Sequence, residues 1–246
     1  MPGHEVSGVV TELGWGTTGL TVGQRVFGLA DWNRNGTLAE YVAIEARNLA
    51  PLPAGVDHAV AAGPVISGLT AWQALFDHAH LRAGQTALIH GAPGGVGSIA
   101  VQLAREVGSR VIGTGRAADK DRALGLGVEE FVDLESDRLE DAGEADVVLD
   151  VLGGDIFKRS MALVRAGGTL VTTIEPPTRR PENGRAIFFV VGADRSQLTE
   201  LAQRLHDGRL TPNVRAVRPL AQAPTAFGPN APQASGKTII QVTDGW

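Results

Sequence analysis

Residues 92–97 read Ala-Pro-Gly-Gly-Val-Gly and follow an apolar run, Ala87, Leu88 and Ile89. Glycines at 94 and 95 let a backbone approach a pyrophosphate, and Gly97 lets a helix pack close to the preceding strand. A helical pattern follows, with Ile99, Leu103 and Val107 every four residues and Ala100 and Ala104 beside them; Gly108 stops it. Free N–H groups at such a helix start face anionic phosphates. A second apolar strand, 110–114, comes next. Strand, glycine turn, helix and strand together are the context a dinucleotide fingerprint requires, so binding is preferred to a purely structural turn. Ala92, Gly94, Gly95, Val96 and Gly97 are the candidate pyrophosphate contacts; Ala92 stands where the usual motif has its first glycine.

The same unit suggests which dinucleotide is bound. An Asp or Glu at the end of the second strand accepts hydrogen bonds from a ribose 2′-hydroxyl and repels a 2′-phosphate. Here Gly115 falls at that position after Thr114, Arg116 comes next, and Lys120 lies four residues on. A guanidinium grips a phosphate at two points and a lysine adds a point charge, which predicts NADPH over NADH. The alternative is a pair of solvated cations, their charge diluted by Asp119 and Asp121.

The elements that must carry these residues are readable in outline. The 246 residues fit one large domain or two smaller ones. A hydrophobic content of 43% with 20% charged residues is that of a soluble globular protein. With no cysteine there are no disulfides and no thiolate metal ligands. A net charge of −5 argues against a nucleic-acid surface. No apolar run reaches membrane-spanning length, and MPGHEVSGVV lacks the basic-then-apolar pattern of a signal peptide. No nucleic-acid or membrane partner is therefore expected, and a cytoplasmic enzyme acting on a small molecule is the simplest reading.

Residues 1–65 alternate short β-like runs (6–11, 25–29, 38–44) with glycine-rich turns. From about Ile66 the chain changes to helix and strand in turn: a helix over 69–78, then strands at 86–90, 130–134, 146–152, 168–174 and 186–191. A helix ends at 161–164, and another starts behind the Asp194–Gln197 capping box and stops at Gly208. This alternation predicts an α/β fold with a doubly wound parallel (Rossmann) sheet over 66–212. From about 213 the chain returns to β character, so 1–65 and 213–246 are expected to build one smaller domain. Glu175 to Arg185, with three prolines and three arginines, reads as a solvated surface loop rather than an anion site.

Segments spread along the whole chain resemble the medium-chain dehydrogenase/reductase superfamily, in its zinc-free quinone oxidoreductase branch. They are Pro2-Gly3-His4-Glu5 with Gly8-Val9-Val10, Val22 to Gly28, Gly36 to Val42, Gly68 to Leu75, His90 to Arg105, Asp146 to Gly154, and Gly236-Lys237. The resemblance implies a GroES-like catalytic domain beside the Rossmann domain, a homodimer, and reduction of a quinone or α,β-unsaturated carbonyl compound by NADPH. It places Thr70 beside the nicotinamide ribose, Val151, Leu152 and Gly153 at the carboxyl edge of the sheet, and Phe188, Phe189 and Val190 against the nicotinamide. A cap for Thr70 and a core strand for 188–190 are the plainer alternatives. Leu134 stands where many relatives have a tyrosine near the adenine. Family chains begin well before the Pro-Gly-x-Glu segment, so the GroES-like domain is expected to be incomplete here. That supports a second function, nucleotide binding with little or no catalysis. A zinc alcohol dehydrogenase is a third: relatives use a Gly-His-Glu histidine as ligand, but His4 and Glu5 lack the further ligands a catalytic zinc needs. No catalytic residue is assigned.

Overall fold

The computed structural model describes residues 2–226 and 236–243. In chain order the elements are β1 (Glu5–Val9), β2 (Arg25–Leu29), β3 (Leu49–Pro51), α1 (His58–Ala62), α2 (Val65–Trp72), β4 (Thr86–Ile89), α3 (Gly95–Glu106), β5 (Arg110–Gly115), α4 (Lys120–Leu126), β6 (Glu130–Asp133), β7 (Ala145–Asp150), α5 (Gly154–Ser160), β8 (Val164–Thr172), β9 (Arg185–Phe188), α6 (Arg195–His206), β10 (Val214–Pro219), α7 (Ala223–Ala226) and β11 (Lys237–Gln241). They fall into two units, residues 1–69 with 192–246 and residues 70–191.

The second unit is built on a six-stranded parallel sheet in the order β6-β5-β4-β7-β8-β9. This is the doubly wound order, with its reversal between β4 and β7. The strands are apolar because both faces are covered. On one face Leu88, Ile112, Val148 and Leu170 pack with Phe157 of α5 and with Leu139 and Ala142. Ile99 and Leu103 of α3 are equally buried, at 1% and 2% exposure. Full burial of a side chain of this size is worth about 1.5–3 kcal/mol. Leu134 packs against the same cluster.

In the first unit β1, β2 and β3 form an antiparallel sheet, with Leu20, Val26 and Leu49 as its core. β10 and β11 pair in parallel. The Lys237 ammonium is ion-paired with the Glu5 carboxylate, which also accepts the Ile66 N–H at 2.8 Å. One cluster of polar groups thus joins β1, α2 and β11.

Several elements differ from the pattern of the sequence. Residues 38–44 form no strand; the third strand is Leu49–Pro51, where Leu49 and Ala50 are buried and Tyr41 is 71% exposed. The helix expected over 69–78 starts at Val65 and widens to a π-helix over Gln73–His78. The helix expected to end over 161–164 ends at Ser160 instead, and β8 begins at Val164 after one tight turn. α6 is grouped with the first unit, whereas the sequence pattern groups it with the sheet of 66–212. Arg195 donates from Nε to the Leu49 carbonyl and from Nη2 to the Ala46 carbonyl, both at 2.6 Å, and Leu201 packs over Gly68. Its N-terminus is capped as the sequence indicated, with the Asp194 carboxylate accepting the Gln197 N–H at 3.0 Å. Residues 227–235 and 244–246 of the expected tail lie outside the described residues.

Candidate functional site

All six strands of the second unit are parallel, so their carboxyl ends share one edge. Ligands of this fold lie outside that edge, at the switch point. The fingerprint turn leaves β4 there. Gly91 carries the positive φ, +62°, that turns the chain. Ala92 then pins the turn to the neighbouring strand, its N–H donating to the Thr114 carbonyl at 2.9 Å.

Two glycines make the turn tight. A Cβ on Gly97 would lie 2.1 Å from the Gly91 carbonyl oxygen and 2.8 Å from the Ala92 Cα, both backbone atoms that cannot swing away. A Cβ on Gly94 would lie 3.0 Å from the same oxygen. Gly94 is the N-cap of α3 and has no side chain to engage the first-turn N–H groups. Those groups and the helix dipole suit an anion.

The turn has neighbours at the sheet edge. A Cβ on Gly91 would come 3.3 Å from Val151 Cγ2 and 3.5 Å from Leu152 Cδ2, so the end of β7 flanks it. Leu152 is 45% exposed. Gly153 is placed by Asp150, whose Oδ1 accepts the N–H groups of Leu152 (3.1 Å) and Gly153 (2.9 Å) and whose Oδ2 accepts the Thr172 hydroxyl (2.8 Å). On the other side, Pro93 lies over Gly115: a Cβ there would meet its Cδ at 3.2 Å and Phe131 Cζ at 3.1 Å.

The remaining candidates are more dispersed. Arg116 is exposed, its Nε 3.7 Å from the exposed Glu135 carboxylate. Lys120 is exposed at the first residue of α4. Thr114 is fully buried and turns its hydroxyl inward to His90, away from solvent. Thr70 is no N-terminal cap; it is the sixth residue of the eight in α2 and 5% exposed. Phe188 ends β9 beside Thr172, Phe189 is buried with its ring 4.6 Å from that of His78, and Val190 is exposed. His4 packs its ring on Trp32 at 4.7 Å, and Glu5 is committed to Lys237. Among the described residues no three His, Cys, Asp or Glu side chains are grouped as a metal requires.

One part of the site escaped sequence reasoning. His90, fully buried at the end of β4, is hydrogen-bonded through Nδ1 to Thr114 and through Nε2 to Ser160 of α5. Burial pushes its pKa down to about 4, against the opposing pull of the Asp150 carboxylate. The signal was present: His90, Thr114, Asp150 and Thr172 are polar residues near the ends of otherwise apolar strands.

Comparison with known proteins agrees with this fold. Residues 1–54 match the alcohol dehydrogenase GroES-like domain family and residues 126–239 the zinc-binding dehydrogenase family. The quinone oxidoreductase of Coxiella burnetii superposes with a TM-score of 0.88 at 26% identity, over 99% of this chain and 80% of that one. The 2-methylene-furan-3-one reductase of Solanum lycopersicum is 30% identical over 98% of this chain and 63% of its own length. The spectinabilin polyketide synthase system protein NorB of Streptomyces orinoci is 35% identical over 99% of this chain, which spans only 12% of that relative. The chain belongs to the medium-chain dehydrogenase/reductase superfamily of nicotinamide-dinucleotide-dependent oxidoreductases. Within it, the chain is similar to a quinone oxidoreductase and to a 2-methylene-furan-3-one reductase.

Proposed function

We propose that this chain is an NADPH-dependent reductase whose acceptor is a quinone or an α,β-unsaturated carbonyl compound. The observation that carries the reading is the Gly91–Gly97 turn at the switch point between β4 and β7, where a Cβ at 94 or 97 would press on the turn's own backbone, so that glycine is what lets the turn close tightly at the start of α3. The pyrophosphate fits over the uncapped start of α3. Val151, Leu152 and Gly153 flank it, and Phe188, Phe189, Val190 and Thr70 are assigned to the nicotinamide riboside. Arg116 and Lys120 are assigned to the 2′-phosphate. A Cβ at 115 would come 3.1 Å from Phe131 Cζ and 3.2 Å from Pro93 Cδ, so an acidic side chain there would have to push these neighbours aside, which supports the NADPH reading.

When bound, the cofactor supplies a hydride; the chain's contribution is to orient it and exclude water. A quinone or enone is already activated by conjugation, so its reduction asks little more of the protein than position and a proton. The names of the relatives support this acceptor class, since a 2-methylene-furan-3-one is itself a conjugated enone.

The test has two arms. Titration of the protein with NADPH and NADH reads binding. NADPH oxidation against a panel of quinones, enones and saturated ketones reads chemistry. We expect tighter NADPH binding and turnover of conjugated acceptors alone. Binding without turnover of any acceptor would leave a nucleotide-binding protein and refute the reductase.

A further inference from the structure

His90 directly precedes the turn glycine Gly91, yet its imidazole points into the interior, where it touches two other elements. Its Nε2 lies 2.7 Å from Ser160 Oγ and its Nδ1 3.0 Å from Thr114 Oγ1. With the Ser160 hydroxyl hydrogen assigned to the Ile156 carbonyl at 2.7 Å, Nε2 carries the ring hydrogen and the Thr114 hydroxyl donates to the bare Nδ1; the opposite tautomer keeps both contacts with the roles exchanged. Asp150 is the charged group that faces this imidazole, and its own oxygens are taken up by Leu152, Gly153 and Thr172.

Thr114 is thus held twice: its carbonyl by the Ala92 N–H of the turn, its hydroxyl by His90. Two residues later comes Arg116, whose own side chain is exposed and only loosely paired. The position of Arg116 relative to the turn therefore depends on how firmly the end of β5 is held. We infer that His90 is a positioning residue for cofactor specificity: it ties the end of β5, and Arg116 with it, to the glycine turn and α5. The 2′-phosphate is then read at a fixed distance from the pyrophosphate. Thr114, read from the sequence as a cofactor residue at the end of the second strand, becomes the link in this tie rather than a ligand contact. The inference rests on the reading proposed above.

The test measures NADPH and NADH dissociation constants beside urea-unfolding curves for Thr114→Val, Thr114→Ser, Ser160→Ala and His90→Gln. Valine copies the shape of threonine and removes the donor; serine keeps it. The NADPH-to-NADH affinity ratio should fall about tenfold in Thr114→Val and be restored in Thr114→Ser, since a misplaced contact of this kind is costly. A general loss of stability would not move that ratio. If Thr114→Val does not fold, His90→Gln carries the same expectation. An unchanged ratio in the folded variants overturns the inference alone. Failure of the unaltered protein to bind either cofactor overturns the proposed function and the inference with it.

Discussion

Gly97→Ala is the sharpest test of the cofactor cradle. The new Cβ would sit 2.1 Å from the Gly91 carbonyl oxygen, 2.7 Å from its carbon and 2.8 Å from Ala92 Cα. Real Cβ contacts essentially never fall below 3.0 Å, so the start of α3 and the turn must part by roughly 1 Å. Overpacking of this kind costs about 1–3 kcal/mol, against about 1 kcal/mol gained by replacing a helical glycine with alanine. The net expectation is a loss of up to about 2 kcal/mol in stability. Binding should suffer more. A shift of that size lengthens the N–H contacts to a pyrophosphate beyond hydrogen-bond range, and each charge-assisted bond is worth about 1.5–3 kcal/mol, or roughly ten- to a hundredfold in Kd. Gly125→Ala is the matched control. It lies on exposed α4 with nothing within 4 Å of its Cβ position, so alanine should stabilise by about 0.5–1 kcal/mol and leave Kd unchanged. Urea unfolding and nucleotide titration read the two quantities. Wild-type stability and affinity in Gly97→Ala would refute the close-approach argument.

Three further expectations follow from the same structure. Arg116→Ala should weaken NADPH binding by about 1–3 kcal/mol and leave NADH binding nearly unchanged; equal losses for both would mean that Arg116 supports the fold. His90 is held neutral by burial down to about pH 4, while an unfolded histidine titrates near 6.5. Between those values the unfolded chain takes up a proton that the folded chain refuses, so stability falls as pH drops from about 6.5 to 4, by up to about 3 kcal/mol. The stability difference between wild type and His90→Gln should narrow by that amount over the interval, and a constant difference would contradict the buried neutral imidazole. Lys237→Met leaves the half-buried Glu5 carboxylate facing the Ile66 N–H alone and should cost about 1–2 kcal/mol in urea unfolding; adding Glu5→Gln should recover part of it.

What the sequence revealed follows from the range of the forces involved. The βαβ unit was legible because glycine spacing, helical periodicity and the Gly108 stop are local constraints, and its strands are apolar on both faces. The failures were of two kinds. The run 38–44 has β-like composition, but strand identity is decided by a partner, and β2 pairs with Leu49–Pro51. The place of α6 depends on Arg195 reaching carbonyls at Leu49 and Ala46, which are 146 and 149 residues away in the chain. The His90 network failed for the second reason too: its partners lie 24 and 70 residues off, and in sequence each polar residue looks like an ordinary strand end.

Ala92 shows how a departure from a motif can be absorbed by its surroundings. Glycine at the first fingerprint position serves a tight turn, and such a turn needs one residue with positive φ. Here Gly91 takes that φ, +62°, while Ala92 keeps a conformation open to any residue. Its methyl group must still fit against the neighbouring strand. It does so because β5 has Gly113 there: a Cβ on that glycine would lie 2.8 Å from the Ala92 Cβ and 2.8 Å from Val128 Cγ2. The small residue that the motif usually places in the turn has been moved to the strand beside it. Alanine at 92 is thus accommodated by glycine at 113, and a side chain at 113 would press on both the turn and Val128.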